Sequence, residues 1–71
     1  MYVQDLHIGY VDWVRDAEFG VVKDLVNHSS FFFHVNKNPL IYDLKKNYYV
    51  IFETYADIRK KQDCAKNIIR L

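Results

Sequence analysis

Aromatic side chains are the residues of this sequence with the clearest chemical potential. The 71 residues include six Tyr, five Phe and one Trp. Any nucleobase can stack on the π-face of such a ring, and each stack contributes about 1–3 kcal/mol to binding. We expect the core of so small a protein to need about half of the rings. The surplus rings are therefore candidates for a binding surface.

Catalytic and metal-binding chemistry has little support in the sequence. The His and Cys residues show none of the ligand spacings of a zinc site, and the two Gly residues stand alone instead of forming a phosphate-binding loop. No Ser or Cys occurs in a motif with a nearby base. We therefore expect a protein that is not an enzyme and that carries no metal and no cofactor.

The length and composition predict a single domain that spans residues 1–71. Hydrophobic residues make up 51% of the chain, and no apolar run approaches the roughly 18–20 residues of a membrane span. The first ten residues lack the basic and apolar regions of a signal peptide, so we expect a cytoplasmic protein. Cys64, the one cysteine, is then expected to be an ordinary reduced residue.

Charge is unevenly distributed along the chain, although the net charge is only +1. Residues 1–24 contain five acidic and two basic side chains, whereas residues 25–71 contain four acidic and eight basic ones. A strongly basic protein attracts nucleic acid through charge alone. This chain would need another source of affinity, such as stacking.

The elements that must position the rings are predicted to be β-strands. Apolar, β-branched and aromatic residues cluster in short runs, separated by polar turn segments such as 15–18, 27–30 and 44–47. Gly9 within the first run indicates a bulge or a close backbone approach. The predicted strands are 7–15, 19–22, 31–35 and 48–54.

The last third of the chain permits two interpretations. Ile58, Ala65 and Ile69 can share one face of a helix over residues 57–71. The alternative is a basic loop followed by a fifth strand over residues 64–71. Four or five short strands favour a small barrel or sandwich, and barrel closure would remove exposed strand edges.

Six short motifs occur in an order and at spacings that resemble the cold-shock domain family. They extend over residues 6–71 with small gaps, and each has a family counterpart: 9–13 (G-x-V-x-W), 19–22 (a reduced form of K-G-F-G-F-I), 31–34 (V-F-V-H), 44–47 (L-x-x-G), 50–53 (V-x-F-E) and 65–68 (A-x-N-V). The resemblance implies an all-β fold, a five-stranded antiparallel barrel of the OB type. It also implies a fifth strand in place of the C-terminal helix.

The resemblance implies an RNA chaperone-like protein that binds single-stranded RNA or DNA on the outer face of the barrel. Four residues match stacking positions of the family, and Tyr42 matches a fifth position loosely. Basic residues in the loops would contact the phosphates. The matched stacking residues are Trp13, Phe19, Phe32 and His34. The basic candidates are Arg15, Lys37, Arg59, Lys60 and Lys61.

The sequence also departs from the family pattern at several positions. Val21 and Val35 stand where the family has rings, and Asp12 and Glu18 stand where it has basic residues or glycine. Losing two stacks would weaken binding by roughly 10²–10⁴-fold. The spacing in the first strand also predicts a bulge: if Val11 and Val14 both face the core, Asp12 and Trp13 must both face outward.

Two further hypotheses remain open at this point. A degenerate barrel of the same fold would use its exposed rings to bind a protein partner or a second copy, with weak or no nucleic-acid binding. If the C-terminal segment is instead a helix, the chain would be a small α+β module with a different functional surface.

Overall fold

The computed structural model describes residues 6–16, 18–34, 44–59 and 61–71. These residues form five strands and no helix, so none of them belongs to a helix that could cross a membrane. The C-terminal helix hypothesis is therefore wrong. The strands are β1 (Leu6–Arg15), β2 (Phe19–Asp24), β3 (Ser30–His34), β4 (Tyr49–Asp57) and β5 (Gln62–Arg70).

The five strands close into a barrel in the order β1-β2-β3-β5-β4. Four of the pairings are antiparallel, whereas β3 and β5 pair in parallel at Phe32 and Cys64. The predicted all-β, five-stranded barrel is confirmed, with mixed strand orientation that is consistent with an OB-type barrel. Closure gives every strand a neighbour on both sides, and the contact between β3 and β5 is the shortest, with a single residue pair.

In β2, β3 and the first half of β4, alternating residues fill the barrel, as a period of two requires, whereas β5 buries the adjacent residues Cys64 and Ala65. Phe31, Phe33 and Phe52 are buried, as the sequence predicts. Tyr48 packs against the core while Tyr49 is 58% exposed, because neighbouring strand residues cannot both point inward. The other buried apolar residues of the core are Val11, Val22, Val50, Cys64, Ala65 and Ile68.

A β-bulge interrupts β1 at the position that the sequence predicts. The pairing of β1 with β2 shifts between Val11 and Trp13, so that Asp12 is the extra residue. Val11 is fully buried and Val14 packs against the core. The bulge therefore leaves Asp12 and Trp13 on the outside of the barrel.

A second irregularity in the strand pairing lies between β4 and β5. The register shifts between Ile51 and Glu53, and Asn67 on β5 adopts a left-handed conformation with φ of 51°. The side-chain amide of Asn67 donates a hydrogen bond of 2.7 Å to Oε1 of Glu53. This bond holds the two strands together where the regular ladder is broken.

A polar pair of half-buried His7 and buried Asp24 joins the start of β1 to the end of β2. Nδ1 of His7 lies 2.6 Å from Oδ2 of Asp24, and the imidazole stacks on Phe52 with 5.4 Å between ring centroids. The other carboxylate oxygen accepts hydrogen bonds from the backbone amides of Val26 and Asn27. The bond from His7 lowers the pKa of Asp24, although burial acts in the opposite direction.

Candidate nucleic-acid interface

The outer face of β1, β2 and β3 carries most of the described residues that the sequence predicts to bind. Cross-strand partners point to the same side of a sheet, so each row of paired residues shares one face. One row contains Trp13, Val21 and Phe32. The neighbouring row contains Arg15, Phe19 and His34.

Three of these rings are linked by two contacts, both made by Phe19. Trp13 meets Phe19 edge to face, with 5.9 Å between centroids and an interplanar angle of 86°. Phe19 stacks on Phe32, with 5.8 Å between centroids and an angle of 29°. Both distances fall in the favourable range for aromatic pairs. We call the surface formed by Trp13, Phe19, Phe32 and His34 the aromatic face.

The aromatic face is exposed but supported from below. Trp13 is 38% exposed, and Phe19, Phe32 and His34 are half-buried. A side chain that already packs against its neighbours loses little conformational entropy when a ligand binds. The rings are thus held in place while their outer surfaces remain accessible.

Gly20 allows β1 and β2 to approach closely beneath the rings. A Cβ atom at this position would collide with the backbone carbonyl of Trp13 and would lie 2.8 Å from the ring of Phe33. Both neighbours are fixed, one by the strand ladder and the other by the core. Gly20 therefore determines how the bulged strand and Trp13 sit on the barrel.

Val21 leaves a gap in the row between Trp13 and Phe32. Neighbouring strands lie about 4.8 Å apart, so the two rings are separated by about 10 Å across β2. Val21 is half-buried between them and offers no π-face. Contact between the rings therefore runs through Phe19 in the neighbouring row.

Charges of both signs border the aromatic face. Asp12 lies at the bulge, and Asp16 and Glu18 lie in the β1–β2 turn, which a hydrogen bond of 3.0 Å from the Glu18 amide to the Arg15 carbonyl closes. Arg15 provides a positive charge within the row of Phe19 and His34. The phosphates of a bound strand would meet partial repulsion here.

Lys23 is a basic residue of this surface that the sequence analysis missed. It pairs with Tyr10 on β1 and with Ser30 on β3, in the row that follows Trp13, Val21 and Phe32. The sequence of β2 does indicate that Lys23 shares the face of the rings. Phe19, Val21 and Lys23 occupy every second position of this strand, so their side chains point to the same side of the sheet.

The other predicted basic residues lie in the β4–β5 turn or outside the described part of the chain. Arg59 and Lys61 are exposed on the β4–β5 turn. The parallel pairing of Phe32 with Cys64 places the residues before Cys64 beside those before Phe32, so this turn lies near the start of β3. Tyr42, Lys37 and Lys60 lie outside the described residues.

The described residues show no arrangement that points to a metal centre. No group of three or more His, Cys, Asp or Glu side chains in ranges 6–16, 18–34, 44–59 and 61–71 is suited to hold an ion. Cys64 is buried, and burial together with this thiol raises the pKa of its partner Tyr55. That phenol therefore stays protonated at neutral pH.

Comparison with known proteins gives no independent assignment. No family model matches the chain, and no curated protein matches it either. The functional argument therefore rests on the geometry of the aromatic face.

Proposed function

We propose that the aromatic face binds single-stranded nucleic acid by base stacking, as a divergent cold-shock domain without enzymatic activity. One observation carries this proposal: Trp13, Phe19 and Phe32 form a continuous ring surface on the outside of β1, β2 and β3. An accessible ring surface suits ligands that present flat faces in series, and unpaired nucleobases are such ligands.

Two observations at motif positions support the resemblance to cold-shock domains. Asn47 ends the segment that resembles L-x-x-G, and its φ is 75°, a conformation in which glycine is favoured and asparagine is tolerated. The bond between Glu53 and Asn67 joins the V-x-F-E and A-x-N-V segments. The residues at these motif positions therefore have structural roles in the barrel.

Stacking alone would recognise bases with little sequence preference. One base would lie on the indole of Trp13 and others on Phe32 and on the Phe19–His34 row. Arg15 and Lys23, at the two ends of the face, would contact phosphates. Because Val21 supplies no ring and the β1–β2 turn is acidic, we expect weak binding that depends strongly on salt.

Fluorescence of Trp13 tests the proposal directly, because this is the one tryptophan of the chain. Titration with oligo-dT or a pyrimidine-rich RNA at low salt should quench the emission with a saturable curve. A duplex of equal length and heparin serve as controls, because neither offers unpaired bases. Quenching of equal strength by heparin, or no quenching at high micromolar oligonucleotide, contradicts base stacking.

A pair of substitutions locates the binding surface. Phe32→Leu removes a ring from the aromatic face and keeps the Trp13 reporter, so oligonucleotide affinity should fall about 5–150-fold. Tyr49→Leu is the matched control, because Tyr49 is an exposed ring on β4, away from this face. Equal losses from both variants would argue against a defined site.

The acidic border favours one alternative, in which the same rings contact a protein. Asp12, Asp16 and Glu18 would repel phosphates but would suit a basic partner. In that case Trp13→Ala would abolish a protein contact, and the oligonucleotide titration would show no binding with the unmodified chain.

A further inference from the structure

A second apolar surface lies on the outside of β1, β4 and β5, and the residues at its centre are aliphatic. Ile8 pairs with Ile51, which in turn pairs with Ile69, so three isoleucines form one row across three strands. In the next row, Tyr10 pairs with Tyr49, and the amide of Leu71 donates to the Tyr49 carbonyl. Leu6 lies at the other side of the isoleucine row.

These residues expose an unusual amount of apolar surface for a small barrel. The exposed fractions are 64% for Leu6, 51% for Ile8, 58% for Tyr49, 61% for Ile69 and 63% for Leu71. With about 200 Å² for a fully exposed large side chain, they present on the order of 600 Å². Monomeric proteins rarely expose a larger contiguous apolar patch. We call this surface the aliphatic face.

The aliphatic face carries little net charge. Glu53 and Lys66 are cross-strand partners in the row beside the isoleucines, so the acid and the base balance each other. Glu53 also accepts the bond from Asn67, and the ammonium of Lys66 lies 5.8 Å from the centroid of the Tyr55 ring. Lys23, the cross-strand partner of Tyr10, borders the face on its β2 side, and the isoleucine row itself carries no charge.

We propose that the aliphatic face is the contact surface for a second copy of this chain. A two-fold contact requires a surface that is complementary to itself, and an uncharged row of three isoleucines meets this condition when it lies against its own copy. A stable dimer buries about 800 Å² on each partner. That is about 15% of the 5413 Å² that the chain exposes. The aliphatic face supplies most of this area.

The barrel architecture restricts how the copies associate. Within this face, β4 pairs with β1 on one side and with β5 on the other, so its backbone groups are not free to pair with a strand of another copy. The contact must therefore be face to face, with side chains of the two isoleucine rows packed together. Such a contact leaves Trp13 and the aromatic face uncovered.

Sedimentation equilibrium between 1 μM and 1 mM tests this proposal. The unmodified chain should form dimers, and Ile69→Lys should raise the dimer Kd at least tenfold by placing a charge in the buried row. Ile58→Lys is the matched control, because Ile58 is 88% exposed in the β4–β5 turn, outside this face. That variant should dimerise like the unmodified chain.

Several outcomes overturn the proposal. A chain that stays monomeric at 1 mM has no self-complementary face, and a dimer weakened equally by both lysine variants does not use the isoleucine row. A dimer that Trp13→Ala dissociates uses the aromatic face instead. Circular dichroism shows whether Ile69→Lys folds. If it does not, Ile69→Thr replaces it in the test, because threonine keeps a β-branched side chain on the strand. This variant should also weaken the dimer.

Discussion

The aromatic face and the aliphatic face share β1, and the bulge in that strand separates them. Ile8 and Tyr10 point outward at alternate positions before the bulge, and a regular strand would bring Asp12, not Trp13, to the outside. The extra residue shifts this alternation and turns Trp13 outward. One inserted residue thus allows a single strand to present aliphatic side chains at one end and an aromatic ring at the other.

The two faces also differ in the kind of ligand that they suit. The aromatic face has π-surfaces with Arg15 and Lys23 at its ends, which suits bases and phosphates. The aliphatic face has branched side chains beside one acidic and one basic residue on neighbouring strands, which suits another apolar surface. We therefore expect variants of one face to leave the function of the other unchanged.

Removing two rings from the aromatic face should have the largest effect. In the double variant Trp13→Ala/Phe32→Ala, oligonucleotide affinity should fall roughly 10²–10⁴-fold, because each lost stack costs about 1–3 kcal/mol. Fluorescence anisotropy of a labelled oligonucleotide measures this without the tryptophan. Sedimentation should show an unchanged dimer, and loss of both properties would mean that the faces are not independent.

Filling the gap at Val21 should strengthen the aromatic face. Val21→Phe places a ring between Trp13 and Phe32 in their shared row, which should raise oligonucleotide affinity by about 5–150-fold if the new ring stacks on a base. Val21→Ile is the control for size without a π-face. Equal affinities for the two variants would show that bases do not lie across this row.

The His7–Asp24 pair joins β1 to β2 and makes stability depend on pH. Its hydrogen bond lowers the pKa of Asp24 in the folded state, so the stabilisation is present above the unfolded-state pKa and is lost as the pH falls through the folded-state pKa. Because the small barrel keeps this pair near solvent, we expect an effect of about 1–2 kcal/mol.

Chemical denaturation of the unmodified chain and of the Asp24→Asn variant measures how much the His7–Asp24 hydrogen bond stabilises the fold. The variant should be less stable at pH 7, and the difference in unfolding free energy between the two proteins should shrink as the medium becomes acidic. A difference that stays constant down to pH 2 would show that ionisation of Asp24 does not stabilise the fold. Dimerisation and oligonucleotide binding at pH 7 should survive in the folded fraction.

Much of the barrel could be predicted from local pattern and resemblance. Alternation alone separates Phe31 and Phe33 from Phe32, and it predicts that one of Tyr48 and Tyr49 is exposed. The last strand is different, because its apolar spacing also fits a helix. Only the closure of the barrel, in which β5 pairs with both β3 and β4, overrides that local pattern.

The surfaces were harder to predict than the core, because they depend on register between distant strands. Ile8, Ile51 and Ile69 are far apart in the sequence, and nothing in each segment alone shows that they form one row. The contact between Trp13 and Phe19 likewise depends on a pairing that the bulge has shifted. Lys23 was missed for the same reason, although the alternation within β2 contained its signal.

The smallest predicted effect distinguishes the two faces by their response to salt. Arg15→Ala removes one phosphate contact from the aromatic face, so the slope of log affinity against log salt concentration should decrease by about 0.7 for a single strand. Lys66→Ala is the matched control, because Lys66 lies beside the isoleucine row and pairs with Glu53. It should leave the slope unchanged. If instead Lys66→Ala reduces the slope and Arg15→Ala does not, the nucleic acid follows the aliphatic side of the barrel, and the assignment of the two faces is reversed.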